Sequence, residues 1–274
     1  QLSQLTPNSA RTYHLIAEAM KFAHHNRARY VGDPNFSKIP YDMLLSKKLA
    51  CKKARAINLK KASTPKKTAR TGSKINDSYK ESKDTTHYSI VDKDGNAVSV
   101  TYTLGYSFGS GVTIPGTGIL TNNQMNNFAH SYGIDNSYFR SSSPANKLEP
   151  LKRPMSTMTP VMVFDAKGNL KLITGSPGGS QIPGVILQVL INNLEFNLDI
   201  GAASMMPRIH QDSQSLSLEY EKFLSNDTLR ILESYGHKLE LSDTMGSTQS
   251  IEIIDGVRYG YADLRRPNAK VSVQ

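Results

Sequence analysis

The sequence contains no tryptophan, a single cysteine (Cys51) and no apolar run long enough to span a membrane. One cysteine excludes an internal disulfide. A transmembrane helix needs about 20 consecutive apolar residues, so the sequence predicts no membrane-spanning segment. Charged residues make up 20% and hydrophobic residues 38% of the 274 positions. This balance is typical of a folded globular protein rather than a disordered one.

Acidic residues are missing from one long stretch of the chain. Between Lys47 and Lys74 there are eleven lysines or arginines and no aspartate or glutamate, and this stretch accounts for the net charge of +10. Basic surfaces that bind nucleic acids usually interleave aromatic residues, and none lies here. We therefore expect no nucleic-acid partner. The pattern favours a solvated helix face that runs into a flexible tail, with weak attraction to anionic surfaces as the alternative.

The first third of the chain has a helical pattern followed by a linker. Asn8 is placed to cap a helix that runs to about Asn26, and Pro40 precedes a second helix with leucines at helical spacing. From about residue 62 to residue 84 the composition changes to Ser, Thr, Lys, Gly and Pro. Such a segment buries too little apolar surface to order itself, and exposed linkers are where chains are cut.

After the linker the pattern changes from helices to strands. Hairpins are predicted at 87–103 and 160–174, an apolar helix at 182–196, a further helix at 227–235, and short strands at 238–241, 250–254 and 257–261. Residues from about 129 to 153 form a long polar loop of the kind that acts as a lid or a binding loop. Two hairpin-based sheets with helices outside predict a layered α/β or α+β protein.

Two motifs suggest acyl-transfer chemistry. Thr85 opens the first strand after the linker, so cleavage between Asp84 and Thr85 would give its hydroxyl a free α-amine as a base. Gly178 and Gly179 lie between a strand and an apolar helix, where backbone N–H groups suit an oxyanion. Each motif has an ordinary alternative, a plain strand start for Thr85 and a plain strand-to-helix turn for the glycines.

Several motifs in order resemble one family, the γ-glutamyltransferases (γ-glutamyltranspeptidases). They span the chain and comprise Tyr30-Val31-Gly32-Asp33-Pro34, Thr85-Thr86-His87-Tyr88-Ser89, Thr101-Tyr102-Thr103-Leu104, Asn122-Asn123-Gln124-Met125, Lys152-Arg153-Pro154, Gly175-Ser176-Pro177-Gly178-Gly179 and Met245-Gly246-Ser247-Thr248-Gln249-Ser250. The resemblance implies an Ntn-hydrolase αββα sandwich, incomplete without the N-terminal part of the large subunit.

The resemblance also implies catalytic roles. Thr85 would be the nucleophile, released by autocatalytic cleavage of the Asp84–Thr85 bond, and Thr103 would support its hydroxyl. Gly178 and Gly179 would donate backbone N–H groups to the oxyanion. No metal and no organic cofactor is implied. The donor would be a γ-glutamyl amide such as glutathione, and the acceptor water or an amino acid.

Five further positions would bind the substrate by the same resemblance. Ser156 and Thr157 would hold the α-carboxylate, Gln124 and Asn127 would lie near the α-amino group, and Tyr138 would gate the pocket.

Two of the matched positions depart from the family pattern. Gly105 replaces a usual asparagine, and Asn127 replaces an aspartate whose charge pairs with the donor's α-ammonium. A charged hydrogen bond contributes about 1.5–3 kcal/mol, of which a neutral amide keeps only part. An acylase or amidase that accepts donors without an amine is therefore an alternative to the γ-glutamyl enzyme.

The resemblance divides the chain at the cleavage site. Residues 1–84 would be the C-terminal part of a large subunit, and residues 85–274 the small subunit. Family members carry several hundred residues before the first helix, including an arginine that binds the α-carboxylate. That missing segment would be a partner, and a catalytically silent fragment with a binding role is a further alternative. The family suggests a periplasmic or secreted location.

Other chemically capable residues have ordinary interpretations. His14, His24 and His25 are expected at the surface, without a metal set. Asp263 and Arg265 are expected to form a structural ion pair.

Overall fold

The computed structural model describes residues 2–64, 84–129, 143–212 and 215–273. The α-helices of the described residues are α1 Ala10–Tyr30, α2 Tyr41–Leu44, α3 Lys47–Ala56, α4 Ile182–Leu190, which a π-helical turn at Ile191–Glu195 continues, α5 Ile200–Met205 and α6 Asn226–Ser234. The strands are β1 Thr86–Val91, β2 Ala97–Tyr102, β3 Val161–Phe164, β4 Leu170–Thr174, β5 Ile209–His210, β6 Ser217–Tyr220, β7 Lys238–Leu241, β8 Gln249–Ile254 and β9 Val257–Ala262.

Helix α1 begins one residue later than the sequence suggests and ends later. Ser9, rather than Asn8, is the N-cap, because its hydroxyl accepts from the Thr12 N–H. Asn8 adopts a positive φ of 59° and its side chain binds the Tyr13 hydroxyl instead. The helix continues to Tyr30, where the chain turns extended at Val31. The prediction of a helix was right and the prediction of its cap was wrong.

The second predicted helix is divided into two. Helix α2 ends at Leu44, and Ser46 caps α3 by accepting from the Leu49 N–H. None of the residues of α2 and α3 is buried, and Leu45 between them is 78% exposed. The apolar positions of this region therefore form no core within the described residues.

Two sheets stack at the centre of the protein. The hairpin β1–β2 packs on β4 and β8 of an antiparallel sheet with the order β3-β4-β8-β9. On the other side of the larger sheet, helices α4 and α5 bury an apolar cluster with β4, comprising Leu172, Val189, Ile200 and Ala203. The layers are thus helix, sheet, sheet, which predicts a place for a second helix layer on the outside of the hairpin.

A third sheet, β5-β6-β7, packs with α1 and α6. Its core contains Tyr13, Ile16 and Met20 from α1 together with Leu218 and Leu232. This packing joins the residues before the linker to those after it. Among the described residues, no helix has the length and apolar character needed to cross a membrane.

Candidate active site

The proposed cleavage junction lies at the start of β1. Asp84 is exposed, whereas Thr85 is only 4% exposed. The Ser107 hydroxyl donates to the Asp84 carboxylate. The Arg266 guanidinium donates to the Thr85 carbonyl oxygen at 2.8 Å. Both residues of the junction are therefore fixed by side chains from distant parts of the chain.

Thr103 lies across from Thr85. In the hairpin, Thr86 pairs with Tyr102 and His87 with Thr101, so the same register places Thr103 opposite Thr85. The Thr103 hydroxyl accepts from the Gly105 N–H at 2.9 Å. The hairpin therefore brings together the two threonines that the sequence singles out.

His87 is a site residue that sequence reasoning missed. Its ring lies on the same face of β1 as Thr85 and is 5% exposed. Its Nδ1 lies 2.7 Å from the Thr101 hydroxyl, and its Nε2 lies 3.1 Å from the Ser89 hydroxyl. Burial lowers the pKa of His87 to about 4, so the ring is neutral at physiological pH. Strand alternation from Thr85 to Ser89 was the available signal, because it places all three odd-numbered residues on one face.

Gly105 is required by its surroundings. It is buried with a φ of +95°, and a Cβ there would lie 1.7 Å from Asn123 Oδ1. That same oxygen accepts from the Tyr106 N–H at 3.1 Å. The departure from the family's asparagine is therefore accommodated by Asn123, whose side chain occupies the space that a side chain at position 105 would need.

Gln124 and Asn127 contact each other in a single 3₁₀ turn. The Asn127 amide donates to the Gln124 side-chain oxygen, and Asn127 is 4% exposed. The Asn127 backbone oxygen accepts from the Asn146 side chain at 2.7 Å, and Asn146 in turn accepts from the Met155 N–H at 3.0 Å. Met155 directly precedes the Ser156–Thr157 pair.

Ser156 and Thr157 follow a segment that an ion pair holds in place. Arg153 donates to both oxygens of the Asp33 carboxylate, at 3.0 and 3.1 Å. The hydrogen bonds from Arg153 hold the pKa of Asp33 well below its usual range. Ser156 is exposed and Thr157 is buried. Hydrogen bonds therefore connect Met155, the residue before this pair, through Asn146 to Asn127 and Gln124.

The turn with Gly178 and Gly179 has backbone angles that favour glycine. Their φ values are +132° and +55°, both residues are buried, and α4 follows after one turn of 3₁₀ helix. A Cβ on Gly178 would lie 3.3 Å from the Gly246 Cα. The Ser176 hydroxyl accepts from the Ser247 N–H at 2.9 Å. Close backbone packing therefore fixes the turn.

A buried ion network supports that turn. Arg208 donates to Asp263 at 2.7 Å and to the Met245 carbonyl at 2.6 Å, and Arg265 donates to both Asp263 and Glu221. Burial would raise the pKa of Asp263, but Arg208 and Arg265 outweigh it and keep that pKa low. The predicted Asp263–Arg265 ion pair is confirmed at 3.2 Å. Arg208 and Glu221 were not predicted, since nothing local in the sequence marks them.

The prediction of surface histidines was wrong for His14, whereas His24 and His25 are half-buried. His14 is fully buried, its Nδ1 lies 2.8 Å from His237 Nε2, and its Nε2 lies 2.8 Å from the Asn58 carbonyl. Burial lowers the pKa of His24. Glu18 lies near His14 and His237, but it is paired with Lys21 at 2.7 Å. The Lys21 ammonium group therefore already supplies the positive charge that a metal would otherwise bring to this carboxylate.

The candidate residues thus form two connected sets that meet at the β1–β2 hairpin. Contacts through Gly105 and Asn123 lead from Thr103 to the 3₁₀ turn of Gln124, and contacts through His87 lead from β1 to the strand before Gly178. Tyr138 lies outside the described residues.

Comparisons with known proteins identify the family and the fold. The sequence profile of the family described as Gamma-glutamyltranspeptidase matches residues 1–273. The chain is 44% identical over 258 residues to the glutathione hydrolase proenzyme of Escherichia coli, covering 94% of this chain and 44% of that protein. The chain therefore spans less than half the length of this relative.

Two solved structures show the same fold. A γ-glutamyltranspeptidase variant from Helicobacter pylori matches with a TM-score of 0.63 and 39% identity over 66% of this chain and 100% of that chain. A cephalosporin acylase from Bacillus halodurans matches with a TM-score of 0.77 and 28% identity over 94% of this chain and 44% of that chain. The fold is that of the Ntn hydrolases, and the chain belongs to the γ-glutamyltranspeptidase family.

Proposed function

We propose that the protein hydrolyses or transfers γ-glutamyl groups from amides such as glutathione, with Thr85 as the nucleophile. The observation that carries the proposal is a buried threonine, opposite a second threonine, at the point where an exposed aspartate leads into the central hairpin. Similarity to the glutathione hydrolase proenzyme of Escherichia coli supports it. The Asp84–Thr85 bond would divide the chain into residues 1–84 and 85–274.

Cleavage prepares the nucleophile. The Thr85 hydroxyl attacks the Asp84 carbonyl carbon, the C–N bond breaks, and the resulting ester is hydrolysed by water. The products are an Asp84 carboxylate and a Thr85 with a free hydroxyl and a free α-amine. Arg266 contributes by holding the Thr85 carbonyl at 2.8 Å.

Acyl transfer uses the same hydroxyl. Thr85 Oγ attacks the donor's amide carbon while the α-amine accepts its proton, and the N–H groups of Gly178 and Gly179 stabilise the oxyanion. The C–N bond then breaks, and the leaving amine takes the proton. Water or an amino acid releases the acyl group from Thr85. Thr103 orients the hydroxyl from the opposite strand.

Substrate recognition would use the connected residues that begin at the 3₁₀ turn of Gln124. Ser156 and Thr157 would bind the α-carboxylate and Gln124 the α-amino group, with Tyr138 as a gate. The chain of hydrogen bonds from Gln124 through Asn127 and Asn146 to Met155 supports a common pocket.

A second candidate function is an acylase that accepts donors without an α-amine. It is favoured by Asn127, a neutral side chain whose amide already donates to Gln124. The similarity to the cephalosporin acylase of Bacillus halodurans agrees with it. Comparing the hydrolysis of γ-glutamyl and glutaryl anilides separates the two, since a strong γ-glutamyl preference excludes the acylase.

The working enzyme also includes a further polypeptide segment, corresponding to the N-terminal part of the family's large subunit. The outer face of the β1–β2 hairpin exposes four large apolar residues, Tyr88, Ile90, Val98 and Tyr102. A second helix layer on this face would complete an αββα sandwich. We place the enzyme in the periplasm or outside the cell, which fractionation of producing cells would test.

The test of the nucleophile uses the full-length protein, by which we mean this chain together with the proposed N-terminal segment. Mass spectrometry is expected to show a fragment of residues 85–274 that begins with Thr85, and Thr85→Ala is expected to abolish both cleavage and turnover. Thr86→Ala is the matched control, because the neighbouring side chain is exposed. An uncleaved parent protein without activity would favour a silent member of the family.

A further inference from the structure

His87 connects the two stacked sheets at the level of the active site. It lies two residues after Thr85 on β1, and its ring faces the larger sheet. On that sheet Gly175 follows directly after β4 and precedes the turn that contains Gly178 and Gly179. The His87 ring therefore lies between β1, which follows Thr85, and the turn that contains Gly178 and Gly179.

Hydrogen bonds fix the ring in one orientation. The Ser89 hydroxyl donates to the Gln249 carbonyl at 2.9 Å, so it accepts from His87 Nε2–H at 3.1 Å. His87 Nδ1 then accepts from the Thr101 hydroxyl at 2.7 Å. Both ring nitrogens are satisfied in the neutral form, with a single tautomer.

The ring lies directly on the backbone of Gly175. An ideal Cβ at Gly175 would lie 2.2 Å from His87 Cε1, and the three nearest atoms all belong to this ring. The φ of Gly175 lies outside the left-handed region, so the close approach of the ring, rather than backbone strain, requires glycine at this position. Contact between ring and backbone therefore sets the separation of the two sheets here.

Gln249 completes a closed cycle of contacts between the two sheets. Its N–H donates to the Gly175 carbonyl at 3.2 Å, and its carbonyl accepts from Ser89. The path runs from Gly175 through His87, Ser89 and Gln249 back to Gly175. A closed set of this kind resists sliding of β1 along the larger sheet.

We propose that His87, through its contact with Gly175, is a positioning residue that holds Thr85 at its working distance from the N–H groups of Gly178 and Gly179. This inference rests on the proposed acyl transfer at Thr85. It predicts that His87 and Gly175 act as a pair. Because the oxyanion forms only in the transition state, misplacement changes kcat rather than KM.

The test is a double-mutant cycle in the full-length protein, assayed with a γ-glutamyl anilide. Gly175→Ala is expected to lower kcat at least tenfold and to leave KM within about threefold, because the new methyl group displaces the His87 ring. In the His87→Ala background the ring is gone, so adding Gly175→Ala is expected to change kcat less than threefold. His87→Gln keeps a donor for Ser89 and is expected to retain more activity than His87→Ala.

Tyr88→Ala provides the matched background. Tyr88 is adjacent on the same strand but points to the opposite face and is 43% exposed. Gly175→Ala is expected to lower kcat as strongly in this background as in the parent. Equal effects of Gly175→Ala in the parent and His87→Ala backgrounds would overturn the proposal, as would a loss expressed only in KM.

Two further results keep the test decisive. If Gly175→Ala does not fold, thermal unfolding of the His87→Ala/Gly175→Ala protein replaces it. A folded double variant supports the contact, and an unfolded one in a folding His87→Ala background contradicts it. If the parent protein neither cleaves nor turns over substrate, the proposed function fails by itself. The same cycle read by thermal unfolding of the uncleaved protein then still tests the His87–Gly175 pair.

Discussion

The two faces of the β1–β2 hairpin reverse the usual distribution of polarity. The inner face, packed against the larger sheet, carries Thr85, His87 and Ser89, with Thr101 from the partner strand. The outer face carries Tyr88, Ile90, Val98 and Tyr102, each between 43% and 56% exposed. Ordinary two-layer packing would bury the apolar face and expose the polar one.

This difference separates two functions of one hairpin. Buried polar groups are tolerated only when they are hydrogen-bonded, and on the inner face hydroxyls bind both nitrogens of His87. That face therefore carries the residues of the proposed chemistry. The outer face has the composition of a core position without a core in the described residues, which fits the proposed covering segment.

The largest loss of stability is expected from Asp263→Ala, which disrupts the buried ion network that supports the turn with Gly178 and Gly179. Asp263 is fully buried between Arg208 and Arg265, so its loss leaves the buried Arg208 guanidinium without its carboxylate partner, whereas Arg265 keeps Glu221. We expect a loss of about 3–5 kcal/mol in the free energy of unfolding, measured by denaturant unfolding. Asp94→Ala is the control, since the exposed Asp94–Lys93 pair contributes less than about 1 kcal/mol. Equal losses would refute the supporting role of the network.

The next largest loss of stability is expected at Gly105, which follows the end of the hairpin nearest the active site. Gly105→Asn restores the family's usual residue, but we expect it to cost about 2 kcal/mol or more, because the new side chain must displace Asn123. Gly95→Asn is a matched control with a similar φ of +88° and open space around it. If Gly105→Asn were as stable as Gly95→Asn in thermal unfolding, the interpretation of Asn123 as the occupant of that space would be wrong.

Exchanging polarity between the faces tests the comparison directly. Thr101→Val keeps the side-chain shape but removes the hydroxyl that binds His87 Nδ1, at a cost of about 1–3 kcal/mol. Val98→Thr makes the reverse exchange on the outer face, where the side chain is 45% exposed, and is expected to cost under about 0.5 kcal/mol. Denaturant unfolding of both variants gives the two values. A larger loss in the free energy of unfolding for Val98→Thr than for Thr101→Val would contradict the comparison, because the outer face would then depend more on its side chains than the inner face does.

Sequence reasoning predicted the hairpin strands and β7 well because their signals are local. The turns at Asp94-Gly95 and Lys167-Gly168 lie where hairpins were expected, and β7 was predicted at its observed bounds. Helix α5 and strands β5 and β6 were missed, since each is short and is stabilised by packing with distant elements.

The residues of the candidate site also divide into those with a local sequence signal and those without one. Thr85 and Gly178 are marked by local patterns, a strand after a linker and a turn before a helix. The roles of His87 and Arg208 depend on contacts across the fold, since Arg208 and Asp263 are 55 positions apart and Gly175 lies on a different sheet from His87. A single sequence carries no signal for such pairs.

Acid is expected to destabilise the protein through buried histidines, one of which is His87 on the inner face. Burial lowers the pKa of both His87 and His237 from 6.5 to about 4. Between these values the unfolded chain binds more protons than the folded protein, so the free energy of unfolding falls as the pH is lowered from about 6.5 to about 4. Thermal unfolding at pH 7.5 and pH 4.5 measures this slope, and His87→Gln is expected to reduce it. An unchanged slope would show that His87 does not contribute.

The smallest effect on stability, and the most informative about a partner, is expected on the outer face. Ile90→Thr alters a side chain that is 52% exposed, so we expect under about 0.5 kcal/mol in the unfolding of the present chain. In the full-length protein the same change is expected to cost 1 kcal/mol or more, because a covered isoleucine loses apolar contact. Tyr41→Phe is the control, since Tyr41 lies on the exposed helix α2 and is expected to change neither protein. Equal small costs in both proteins would show that no segment covers the hairpin, and the apolar outer face would then need another partner.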